Sequence, residues 1–143
     1  MTTVAINPRH VRPLVGSVVI PGAKAAANME VGDLVYMSDG ANKLVSLTDA
    51  DTLATVKNKI YQVVAGGRHN PTGAIVTGEA VTLLEFGRVS WGPDADLDVT
   101  KQYFASNTAG GVEDAAGTNS RRIGQPETDE IFFFNPDNAA PGY

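Results

Sequence analysis

Apolar positions along this chain alternate with polar ones over short runs, and turn residues end each run before it reaches helical length. "DLVYM" (33–37) and "KLVSL" (43–47) flank an Asp39-Gly40 step, a strong hairpin signal because glycine supplies the positive φ that a tight turn needs. "KIYQVVAGG" (59–67) reads as a strand stopped by a glycine pair. "EAVTLLEFGRVSWG" (79–92) is the longest strand-like run, with Gly87 marking a bulge or bend. "LVGSVVIPG" (14–22) predicts a first strand ended by Pro21-Gly22. "AIVTG" (74–78), "KQYFAS" (101–106), "RRIGQPE" (121–127) and "EIFFFNP" (130–136) supply the rest. Only "TDADTLATVKN" (48–58) predicts a helical turn, with Thr48 and Asp49 as caps. "AKAAANM" (23–29) has helix propensity but is too short to hold a helix alone.

The pattern predicts an all-β chain: a compact β-sandwich or β-barrel-like domain with at most one short helix and an extended N-terminal arm. We divide it into an arm and first strand (1–28), a β-domain (29–134) and an extended or mobile tail (135–143). "MEVGDLVYMSDG" (29–40) also lies over "LDVTKQYFASNT" (97–108) without a gap, matching Val31 with Val99 and Ser38 with Ser106. In each copy an acid precedes a strand holding an aromatic, followed by a polar turn. "KIYQVVAGG" and "RRIGQPE" would be the equivalent later strands.

Composition narrows the function. The 143 residues are 43% hydrophobic and contain no cysteine, which excludes disulfides and sulfur-built zinc sites. The N-terminus lacks a secretory apolar region, and no run is long enough to span a membrane, so the expectation is a soluble, untargeted chain. The net charge of −5 is unevenly spread: residues 1–29 carry Arg9, Arg12 and Lys24 with no acid, leaving −8 on the remainder (8 basic, 16 acidic). An acidic body disfavours nucleic acid, while a basic arm favours docking on an acidic protein surface.

Candidate chemistry is sparse. Asp94, Asp96 and Asp98 have the spacing that opens a calcium loop, but position 6 is Val99 where glycine is needed and position 12 is Ala105 where a bidentate acid is needed. A Pro-Asp turn is the plainer reading. His10 sits in the Pro-flanked arm and His69 in the loop-like "GGRHNPTG", beside Arg68, and neither has a nucleophile motif. No phosphate-cradling glycine pattern is present. Phe132 and Phe134 should face one side of their strand and Phe133 the other, which makes that strand central or partner-covered. Trp91 is either a core residue or an interface anchor.

In order, "MEVGDLVYMSDGANKLVSL", "AIVTGEAVTLLEFGRVSWG", "LDVTKQYFASNTAGGVEDA" and "RRIGQPETDEIFFF" resemble the strand–turn–strand segments of small phage capsid decoration proteins, also called cement or head-stabilising proteins. Thr100-Lys101 stands where that family has an opening Gly-Asp pair. The resemblance implies a β-domain bound to the outer surface of a virion's capsid, partnered by the major capsid protein and by copies of itself as a trimer. It implies no enzyme activity and no cofactor. On that reading Arg9, His10, Arg12 and Pro13 are the candidate docking residues, and Arg88, Trp91 and Phe133 the candidate subunit contacts. Other β-rich virion modules (tail tube, adaptor or fibre) are the alternative, with a small carbohydrate-binding or enzymatic β-domain behind them.

Overall fold

The computed structural model describes residues 3–67 and 72–136. In chain order the strands are β1 (Arg12–Pro13), β2 (Val18–Ala25), β3 (Met29–Glu30), β4 (Leu34–Asp39) and β5 (Leu44–Leu47). The short helix α1 (Leu53–Val56) follows, then β6 (Ile60–Gly66), β7 (Ala74–Ile75), β8 (Ala80–Ser90), β9 (Tyr103–Ala105), β10 (Val112–Glu113), β11 (Arg122–Pro126) and β12 (Ile131–Phe134). The all-β expectation holds, in a barrel- and sandwich-like arrangement.

The long strand β8 organises the fold. Its first part pairs with β2 on one edge and β6 on the other. From β6 the sheet continues through β4 to β5, and β5 returns to β2 in parallel, which closes a five-stranded ring. The last part of β8 pairs with β12, and the sheet continues through β11 and β9 to β10. Beyond β10 comes the N-terminal segment: Thr3 bridges Glu113, the Val4 amide donates to the Val112 carbonyl, and β1 returns to β8 opposite Ser90 and Val89. The N-terminal segment thus completes a second circuit around the far half of β8.

Each circuit surrounds its own apolar cluster, and the strands between them are buried on both faces. Along β6, Tyr61 and Val63 fill the first cluster while Ile60 and Val64 fill the second. Val35 and Leu34 of β4 divide the same way, as do Leu83 and Leu84 of β8. Such strands need continuous apolar runs, which is why "KIYQVV" and "AVTLL" lack clean alternation. The internal repeat matches this duplication: β5–β4–β6 and β10–β9–β11 are both a hairpin with a third antiparallel strand on its far side. The paired acids Glu30 and Asp98 differ, however. Asp98 accepts from the Thr100 amide with its side chain, whereas Glu30 donates its own amide to Asp33.

Three expectations about elements need correction. β2 does not stop at Pro21-Gly22. Ile20 faces Leu83 and Ala23 faces Val81, so one extra residue bulges there, giving the proline without an N–H and Gly22 at φ +91° a place inside the strand. The first three residues of "AKAAANM" then continue β2, because Ala23 and Ala25 are buried in the first cluster and burial outweighs a small intrinsic propensity. Helix α1 is capped at Thr52, without a side-chain bond, while Asp49 turns its carboxylate to the Asp51 amide. The hairpin forms, but its positive φ falls on Lys43 (56°) and not on Gly40, with Asp39 accepting from the Asn42 amide and side chain.

Candidate functional site

The N-terminal segment is fixed to the body instead of projecting from it. Val4, Ile6 and Val11 pack against the second cluster, and the Asn7 side chain caps a 3-10 turn at Pro8–His10 by accepting from the Arg9 amide. The body receives the segment on glycines. A Cβ on Gly32 would lie 2.7 Å from the Ile6 side chain, on Gly73 2.5 Å from Pro8, and on Gly92 2.6 Å from His10. All three have φ between +78° and +106°, so side chains are disfavoured there by both space and backbone. Of the arm's candidate residues, Arg9, His10, Arg12 and Pro13 are all exposed. His10 Nδ1 lies 3.9 Å from Asp94, whose carboxylate also accepts from Asn7 Nδ2 at 3.1 Å. Neither Arg9 nor Arg12 has an acidic partner among the described residues. With Ser90, Pro93 and Glu130 the three basic side chains line a cleft of about 330 Å³.

Register places Arg12 on the same outward sheet face as two of the candidate subunit residues. Arg12 and Ile131 flank Ser90, Phe133 lies opposite Arg88, and Val18 lies opposite Phe86. The Phe86 and Phe133 rings meet edge to face with centroids 5.2 Å apart. Arg88 Nε bonds Glu127 at 2.8 Å. β12 is central, between β8 and β11, with Phe132 and Phe134 inward and Phe133 half-buried on this outer face.

Trp91 is not on that face. Its side chain is completely enclosed, stacked on Phe132 at 4.4 Å, and offers nothing to a second subunit. The core reading of this residue is the one the structure supports. Its Nε1–H donates to Gln62 Oε1 at 3.1 Å, and Gln62 Nε2 donates to the Gly32 carbonyl at 3.0 Å. This buried chain of bonds ties β6 to the turn that carries the N-terminal segment.

The aspartates of "WGPDADLDVTKQYF" diverge. Pro93–Ala95 forms a 3-10 turn, and Asp96 follows at φ 45°. Asp94 serves the arm, while Asp98 takes both the amide and hydroxyl of Thr100, whose bonds hold the Asp98 carboxyl below the usual carboxylate range. Asp96, Asp98, Asp114 and Asp129 line a second cavity of about 570 Å³ with Lys101 and Tyr103, where Lys101 pairs with Asp114 at 3.0 Å. Among the described residues no three His, Cys, Asp or Glu side chains converge as metal ligands. Arg68 and His69 lie outside the described residues, as does the tail from 137 onward.

One carboxyl is strongly perturbed. Asp33 precedes β4, close to Gly110 of the β9–β10 loop, whose carbonyl accepts from Leu34. Burial pushes the Asp33 carboxyl up to about 6, against the opposing bond from the Glu30 amide. A folded value above the unfolded one means that Asp33's contribution to stability is complete below the unfolded value of 3.8 and is lost as pH rises through about 6. Discounted for partial exposure, the loss is about 2 kcal/mol. Urea unfolding at a series of pH values should therefore show a decline between pH 4 and 7 that the Asp33→Asn variant lacks. Parallel pH profiles for the two proteins would refute the assignment.

Sequence alone does not single out Val18 and Phe86, which are 46% and 42% exposed on the face of Phe133, or Val15, which is wholly exposed in the turn before β2. The available signal was "LVGSVV", an apolar run that lacks polar alternation. No family model matches this chain, and no curated protein or solved structure matches it either.

Proposed function

We propose that this chain is a structural decoration protein that binds the outer surface of a phage capsid and strengthens it by bridging neighbouring capsomers, acting as a trimer. The observation that carries the reading is the N-terminal strip: Arg9, His10 and Arg12 stand exposed on a chain that is otherwise acidic, and neither arginine has an ion-pair partner among the described residues. Basic groups held in a fixed geometry lose little freedom on docking, so their attraction to an acidic shell protein goes into association. Several copies acting together convert modest contacts into tight attachment. Bridging requires surface complementarity and stability, not a catalytic constellation. The resemblance to decoration proteins supports the same reading.

Deleting residues 1–13 would be a poor test, because Val4, Ile6 and Val11 belong to the packing of the second cluster. Reversing Arg9 and Arg12 to glutamate leaves that packing alone. In co-sedimentation with undecorated shells, Arg9→Glu/Arg12→Glu is expected to bind about tenfold or more weakly, with a steeper loss at low salt. Binding equal to that of the parent protein would sink the docking role.

A further inference from the structure

We infer that the cleft lined by Arg9, Arg12 and Ser90 is a carboxylate-binding subsite, shaped to take an aspartate or glutamate side chain of an acidic protein partner. The inference deepens the docking reading above and rests on it for the partner. Ser90 carries it. Val89 and Trp91 on either side have their side chains in the core, so strand alternation turns Ser90 outward, between Arg12 of β1 and Ile131 of β12. The residue is 7% exposed, it lines the cleft, and its hydroxyl has no hydrogen-bond partner among the described residues. Buried hydroxyls are ordinarily paired, and one left open in a cleft beside two arginines is a donor without its acceptor.

Charge and shape select the acceptor. Arg9 and Arg12 have no acidic partner among the described residues, and Glu130 is the acid in the lining. Outside the lining, Asp94 is turned to Asn7 and His10, and Arg88 is held by Glu127. Two cations against one anion leave room for a single negative charge. A carboxylate supplies that charge with two oxygens, one for the Ser90 hydroxyl and one for a guanidinium, and bonds to a charged acceptor are about twice as strong as neutral ones. A phosphate brings a second charge toward Glu130 and is disfavoured. The volume of about 330 Å³ is at the small end of ligand pockets, fit for one side chain. The cleft is set before a partner arrives, because Asn7 caps the turn that carries Arg9 and His10, β1 pairs with β8, and His10 seats on Gly92.

Titration of the purified protein, followed through its backbone amide resonances, tests this at neutral pH and constant ionic strength. N-acetyl-aspartate amide, whose side chain bears its one carboxylate, should produce saturable shifts at Val11, Arg12 and Gly92. N-acetyl-asparagine amide, equal in shape and uncharged, should produce none, and inorganic phosphate should bind more weakly than the aspartate compound. Ser90→Ala should weaken binding of the aspartate compound about tenfold. Its urea unfolding midpoint should stay at or above that of the parent protein, since the hydroxyl it removes bonds no described residue. Arg12→Glu should abolish binding. Absence of saturable binding, an equal response to the asparagine compound, phosphate bound as tightly or more tightly, or a Ser90→Ala protein that binds undiminished overturns the proposal. So does shell binding at parental strength by a Ser90→Ala protein that no longer takes the aspartate compound. Saturable binding of the aspartate compound by a parent protein that ignores shells would uphold the cleft and refute the capsid reading.

Discussion

Trp91→Ala is expected to cost about 5 kcal/mol of stability, enough to leave a domain of this size barely folded. Two losses combine. Removing the indole from a fully enclosed site stacked on Phe132, which in turn meets Tyr103 edge-on, opens a cavity and forfeits its transfer energy, about 3–5 kcal/mol. It also strips Gln62 Oε1 of its donor in a position with no solvent access, a penalty of about 1–3 kcal/mol that relaxation of the cavity partly relieves. Trp91→Phe separates the two, since it keeps a ring on Phe132 and removes only the N–H and some volume. Its expected cost is about 2 kcal/mol. Chemical denaturation followed by circular dichroism reads both. A Trp91→Ala protein that melts within a few degrees of the parent would contradict the assignment.

Gly124→Ala is expected to be nearly as damaging, at about 3–4 kcal/mol, though it adds a single methyl group. Gly124 sits in β11 between β9 and β12, at φ +148°, where the pairing with β9 shifts register. A Cβ would overlap the Phe133 carbonyl oxygen and come within 2.9 Å of the Phe132 ring. Neither neighbour can yield: the oxygen belongs to the backbone of a central strand, and the ring is fully buried. The consequence should be local first. Hydrogen exchange should lose protection at β11 and β12 while the β4–β5 hairpin keeps it. Uniform protection at parental levels would show that the strands can part without cost.

What the sequence disclosed and what it withheld divide along a physical line. Strands and hairpins are local, so alternation and Asp39-Gly40 exposed them directly. The parallel β2–β5 contact that closes the first ring joins segments with no local signal. Pro21-Gly22 read as a stop because a proline ends an ordinary ladder, yet a bulge absorbs it. Trp91 had two sequence readings, and only its enclosure decided between them. In sequence the N-terminal segment resembles a free arm because Pro8 and Pro13 disfavour a helix and a central strand. Its alternation at Val4 and Ile6 was too brief to show that the surface it covers is its own. Of the candidate site residues, Arg12, Arg88 and Phe133 share one face, a juxtaposition that depends on the register of β1, β8 and β12.

That closing segment also sets an order of events. Thr3 and Val4 are synthesised well before their partners Glu113 and Val112, and Gly73 and Gly92 must already be in place to receive Pro8 and His10. The first ring needs nothing beyond β8 and can form during synthesis. The second must wait until β12 has been made, with the high contact order that makes β closure slow. Thr3 and Val4 are therefore seated only after β10 has been made, and a chain truncated before it would carry them loose.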